Sequence, residues 1–181
     1  MLRNDEIQYG SVAKWFHWLI AFAVITLLIV GLLMGDFEKP FRFTVYNIHK
    51  LVGLTVLTLM IMRIIWTFNN TRPPMPLTTP TWERFAARSV HLLLYVTVLL
   101  MPISGWIMST AAGHSPMLGS LALPMPGVIE DKALAKLTNQ IHSTLGWTII
   151  GLVSLHTLAA IKHHFIDKDN VLKRMLPGRL S

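Results

Sequence analysis

Two histidines, His142 and His156, stand inside residues 140–165, a stretch long and apolar enough to cross a bilayer. Their spacing of 14 residues is close to four helical turns, so both lie on one helix face, about 21 Å apart along the axis. The hydrocarbon core of a bilayer is about 30 Å thick, which puts one imidazole in each half of the membrane. An imidazole at that depth is costly unless it has a partner. Two of them, stacked on one face, ask for two ligands, one above the other.

The elements that must hold such ligands are set by composition. The chain has 181 residues, 52% hydrophobic and only 14% charged, with a mean hydropathy of +0.51. A soluble domain carries about 25% charged residues, so this is a membrane protein by composition. The net charge of +7 does not mark a nucleic-acid binder, because the basic residues flank apolar spans and no basic–aromatic stretch is present. There are no cysteines. Disulfides, thiolate-bound iron–sulfur clusters and covalent haem attachment through Cys-x-x-Cys-His are therefore excluded. Any cofactor falls to the eight histidines, the ten methionines or carboxylates.

Four apolar spans are predicted, at residues 15–35, 48–68, 89–110 and 140–165. The first runs without a charge to Leu-Leu-Met-Gly-Asp and lacks a small-residue cleavage site, so it reads as a retained helix rather than a signal peptide. Residues 69–80 hold four prolines and form a linker. Residues 82–88 read as a short amphipathic lead-in at the interface, and Pro102 as a kink in the third span. Residues 111–138 read as a loop with a polar helical pattern at 130–136, and residues 167–181 as a basic tail. The side of the N-terminus, the linker and the tail carries eleven of the sixteen Lys/Arg residues. Both termini are therefore expected in the cytoplasm. The fold class expected is all-α, an integral membrane four-helix bundle running up-down-up-down, in one transmembrane domain over residues 1–181.

On this topology His17 and His156 fall at the inner level, and His49 and His142 at the outer one. Two stacked bis-histidine sites across a four-helix bundle are the arrangement expected for two b-type haems. The residue four positions after each of these histidines is Ala21, Gly53, Gly146 or Ala160, always small. A porphyrin needs such a gap in the next turn, whereas small residues also serve ordinary helix packing. Arg63 follows His49 by 14 residues, at the inner level. It reads either as a partner for haem propionates or as a cation snorkelling to the headgroups. His91 opens the third span at that level, as a propionate or substrate contact or as an interfacial residue. His163 lies seven residues beyond His156 on the same face, where it reads as a quinone contact or a helix-end anchor. His164 points elsewhere, and His114 falls in the outer loop as a surface residue. Lys39, Arg42 and Lys50 cluster beside the outer site and would steer a small anion towards it.

The segments Lys14-Trp15-Phe16-His17-Trp18, Asn47-Ile48-His49-Lys50, Ile141-His142 and Leu155-His156 resemble the bacterial cytochrome b561 family, which includes inner-membrane superoxide oxidases. So does the tail Lys168-Asp169-Asn170-Val171-Leu172-Lys173-Arg174-Met175-Leu176-Pro177. The resemblance covers nearly the whole chain. It implies an inner-membrane protein with two non-covalent haems b on His17, His49, His142 and His156, exchanging electrons with a ubiquinone-type quinone. Superoxide is the donor in the superoxide-oxidising relatives. Two imidazoles fill both axial positions of an iron, which favours outer-sphere electron transfer over oxygen chemistry. An oxidoreductase relaying electrons from an outer-face donor to quinone is one expectation. The alternative is a haem-bearing membrane anchor for a larger dehydrogenase or hydrogenase. A transporter using its histidines for metal or protons is the third, and it would lack a haem absorption spectrum.

Overall fold

The computed structural model describes residues 1–76 and 78–178, so Leu77 of the proline-rich linker and the last three residues of the basic tail lie outside the described residues. Four long helices dominate: α1 (Ser11–Leu33), α2 (Phe41–Phe68), α3 (Thr81–Ala111) and α4 (Lys132–Phe165). They are 23, 28, 31 and 34 residues long, and each has the length and hydropathy to cross a membrane. At 1.5 Å per residue they reach about 35 to 51 Å, against about 30 Å of hydrocarbon. Their ends therefore project into the headgroup layers.

That surplus length accounts for where the sequence reading of the helices needs correction. Residues 82–88 are not a separate lead-in but the first turns of α3, which starts at Thr81 behind Pro80. The polar pattern at 130–136 likewise belongs to α4, whose N-cap Asp131 accepts the Ala133 and Leu134 N–H groups at 2.7 and 3.0 Å. Hydropathy registers the part of a helix inside the bilayer, whereas backbone hydrogen bonding carries the helix on through the interface. The loop between α3 and α4 also holds a small antiparallel hairpin, β1 (Met117–Leu118) with β2 (Leu121–Ala122), absent from the sequence reading. Asn47 at the start of α2 ties it down, its amide donating to the Met117 carbonyl and accepting from the Met117 N–H, both at 2.8 Å.

The helices alternate in direction, so both chain termini lie at one end of the bundle (the terminal end) and the hairpin at the other. Close packing joins α1 to α2, α2 to α3 and, most extensively, α3 to α4. The core is a thin column, Ile20 and Val24 of α1, Val56 and Met60 of α2, Val98 of α3 and Ile149 of α4. Most other apolar side chains point outward; Phe22 is 73% exposed and Trp147 66%. In water such a surface would be a large aggregation liability. In a bilayer the lipid tails cover it.

At the terminal end three segments meet. Trp18 Nε1 donates to the Met175 carbonyl at 2.8 Å and Lys14 Nζ to the Gly178 carbonyl at 2.9 Å. Arg174 donates to the Pro74 carbonyl, and the Asn4 amide to the Thr71 carbonyl at 2.7 Å. The tail is thereby folded back over α1 and the linker. This gives the Lys168–Pro177 segment a structural task that its sequence does not announce.

Candidate functional site

The histidines come together as pairs of facing rings. His49 on α2 and His142 on α4 have ring centroids 6.4 Å apart near the hairpin end. His17 on α1 and His156 on α4 stand 6.1 Å apart near the terminal end. The ring planes cross at 72° in both pairs. A first-row metal sits about 2.0–2.1 Å from an imidazole nitrogen, which lies about 1.1 Å from its ring centre, so two imidazoles on one ion stand about 6.2–6.4 Å apart. The two ring separations, 6.4 and 6.1 Å, lie at or close to that distance. His91 tests that statement, because its ring lies against His156 with centroids 5.2 Å apart. That is too close to hold an ion between them.

The hairpin-end pair borders a cavity of about 710 Å³ lined by His49, His142, Gly31, Gly53, Gly105 and Gly146, among others. Gly53 and Gly146 are the small residues one turn beyond the histidines; a Cβ on Gly53 would meet nothing within 4 Å, and one on Gly146 only Met101 Cε, at 3.5 Å. Gly31 and Gly105 carry no such signal in the sequence, because what makes them matter is the approach of another helix. A Cβ on Gly105 would stand 2.8 Å from His142 Cε1, and one on Gly31 would stand 3.4 Å from His49 Cε1. His142 is fixed by α3 in turn. Its Nδ1 lies 3.0 Å from the Met101 carbonyl and 3.2 Å from Ser104 Oγ. A carbonyl can only accept, so Nδ1 carries the proton and Nε2 keeps its lone pair for a metal. The Nδ1 of His49 is buried with no hydrogen-bond partner. These residues fit a haem.

Replacing Gly105 with valine forces methyls against the His142 ring, an overpacking worth about 1–3 kcal/mol. The variant is expected to bind less haem at this site while keeping its helical circular dichroism, a change read as a lower ratio of Soret to protein absorbance.

At the terminal end Arg63 sits on His17. Its Nη2 is 3.3 Å from His17 Nδ1, and its guanidinium lies 5.3 Å from the centre of the Tyr95 ring. His163, 7% exposed, lies further along α4 and is held by residues of the tail. Its Nδ1 is 2.7 Å from Asp169 Oδ2 and 3.3 Å from Asp167 Oδ2. Lys162 bridges Asp167 and Glu83 at 2.8 and 3.0 Å, which pins the end of α4 to α3. Sequence reasoning missed these carboxylates because the tail's return path is a tertiary fact. Tyr9, ahead of α1, has its phenol pushed up by burial against the lowering pull of Arg72, so it stays a neutral hydrogen-bonding group. His164 packs edge-on against Phe165. At the hairpin end Lys50 Nζ donates to the exposed His114 carbonyl at 2.7 Å, Arg42 Nε to the Phe37 carbonyl at 2.6 Å, and Lys39 lies over Phe43. Among the described residues none of these three cations is ion-paired, so their charge is free to act at a distance.

A four-helix transmembrane bundle with histidine rings facing each other across its helices is the framework of a membrane-bound b-type cytochrome. The family model of prokaryotic cytochrome b561 matches residues 8–178, and the chain belongs to that family. The family implies b-type haem and places the protein among bacterial integral membrane electron-transfer proteins. The chain is 34% identical over 177 residues to cytochrome b561 homolog 2 of Escherichia coli (strain K12), covering 96% of this chain and 93% of the relative. It is 28% identical over 173 residues to the probable superoxide oxidase CybB of Yersinia pestis, covering 95% and 97%. It is also 21% identical over 217 residues to the probable Ni/Fe-hydrogenase B-type cytochrome subunit of Rhizobium leguminosarum bv. viciae, covering 97% and 89%.

Proposed function

We propose that this cytochrome holds two haems b, on His49/His142 and His17/His156, and carries electrons from a donor at the hairpin end to a quinone at the terminal end. The observation that carries the proposal is the pair of ring separations, 6.4 and 6.1 Å, each matching two imidazoles on one iron. A haem held by each histidine pair would supply one-electron transfer. The protein's own groups do the rest. Met101 fixes the His142 tautomer. Arg63 can only donate, so its contact with His17 Nδ1 requires that nitrogen to be unprotonated. Ligation through His17 Nε2 would require the opposite, and Arg63 would then be available to pair with the haem propionates. His91 stays beside His156 as a second-rank contact to the same group or to quinone.

Orientation follows the Lys/Arg bias: the protein lies in the inner membrane with the terminal end, and both termini, in the cytoplasm. The hairpin end then faces outward with Lys39, Arg42 and Lys50, and superoxide is a donor of matching charge. His163, with Arg63 and His91 nearby in level, marks the quinone site. A buried imidazole near the membrane surface can hydrogen-bond a quinone carbonyl and pass it a proton. The likeness to a hydrogenase B-type cytochrome subunit supports a second reading, a membrane anchor reduced only by a partner enzyme.

Anaerobic stopped-flow reduction of the purified protein separates the two, with superoxide, quinol and soluble dehydrogenases offered in turn. Fast haem reduction by superoxide alone, slowing as ionic strength rises, is the expected result. Reduction only by a co-purifying dehydrogenase would favour the anchor, and a superoxide rate independent of salt would remove the steering role of the three cations.

A further inference from the structure

The carboxylates around His163 are not equivalent. Asp167 is engaged by Lys162 at 2.8 Å, and the same ammonium reaches Glu83 across α3 at 3.0 Å. Glu83, His163 and Asp167 offer ligand atoms within 4.8 Å of one another, yet Lys162 already occupies the cationic position between the two carboxylates. Asp169 is different. Its Oδ1 accepts the Val171 N–H at 2.9 Å, its own N–H donates to the His163 carbonyl at 3.1 Å, and its Oδ2 faces His163 Nδ1 at 2.7 Å. Between the two aspartates Lys168 adopts a φ of +53°, in the left-handed region. A non-glycine residue adopts that conformation only at a steric cost. The turn it makes brings both neighbouring carboxylates to one nitrogen, and such strain collects where a site is being shaped.

We propose that Asp169 is a positioning residue that keeps a proton on His163 Nδ1, so that Nε2 is the nitrogen that gives and takes protons. The inference rests on the reading of His163 as the quinone contact. An ionised carboxylate can only accept, and at 2.7 Å it holds the Nδ1–H in place whether or not Nε2 is protonated. Reduction of a quinone to quinol takes two electrons, originating from the donor at the opposite end, and two protons. For each proton the Nε2–H bond breaks and an O–H bond forms at a quinone oxygen. The imidazole is left neutral with Nδ1–H still on Asp169, and water at the terminal end returns a proton to Nε2. The groups facing the ring are Asp169 and Asp167 from the tail, Lys162 from α4 and Glu83 from α3.

Two measurements on the haem-loaded protein test this. In the reduced protein, nitrogen-15 NMR of labelled histidine, with the His163 signals identified by their loss in His163→Gln, is expected to show neutral His163 in the Nδ1–H form. The Nε2–H form would overturn the proposal. In quinone reduction, Asp169→Asn is expected to lower kcat about tenfold or more while KM for quinone stays within about twofold, and Asp169→Glu to recover most of the loss. An unchanged kcat in Asp169→Asn, or equal losses in both variants, would overturn it. Should Asp169→Asn fail to hold haem, the wild-type tautomer decides alone. If His163→Ala itself reduces quinone at the wild-type rate, the quinone reading falls, and the role of Asp169 falls with it whatever the tautomer.

Discussion

Alanine at His142 is expected to lower the haem-to-protein ratio from about two to about one, with the remaining haem still bis-imidazole in its spectrum. The same loss is expected for His49→Ala, because both rings face one ion position at 6.4 Å and one imidazole does not hold the group against dissociation. His17→Ala and His156→Ala are expected to remove the other haem. His91→Ala is the informative contrast. Its ring is nearer to His156 than His17 is, 5.2 against 6.1 Å, yet it is too near to share an iron. The variant is therefore expected to keep both haems, with a shift in the spectrum of one. Haem loss in His91→Ala and retention in His17→Ala would reverse the pairing at the terminal end.

The second large effect is expected at His163. Its alanine variant should retain both haems, since the residue lies seven positions beyond His156 and its Nδ1 is engaged by the tail carboxylates rather than by another ring. Reoxidation of the reduced haems by quinone should slow about 10²-fold or more, the scale of a lost general acid. Reduction from the hairpin end should be unaffected, which distinguishes a local loss at the quinone site from general damage. Wild-type reoxidation in this variant would place the quinone elsewhere.

The parts of this site that could be read from the sequence are those carried by a single helix. Four apolar spans and the 14-residue interval between His142 and His156 need no tertiary information. The opposed levels of His17 and His49 follow once the helices alternate in direction. What could not be read depends on contacts between elements. Gly105 looks like any small residue of a transmembrane helix until α4 brings His142 to 2.8 Å from where its Cβ would stand. Asp169 looks like part of a soluble basic tail until the turn at Lys168 folds it onto His163. Arg63, read as a propionate partner or a snorkelling cation, lies against the His17 ring, a contact that follows from where α1 and α2 cross. The helix ends were missed for a further reason: hydropathy falls away at the interface before helical hydrogen bonding does, as at Asp131.

Bis-histidine ligation at two sites would show directly in electron paramagnetic resonance of the oxidised protein. Imidazole planes that kept the 72° crossing on an iron would leave two of its d orbitals nearly equal in energy, which would make a low-spin ferric signal strongly anisotropic. Two such signals are predicted, one lost in His142→Ala and the other in His156→Ala. A single signal that survives both substitutions, or a high-spin signal in the wild type, would contradict bis-histidine ligation at two sites.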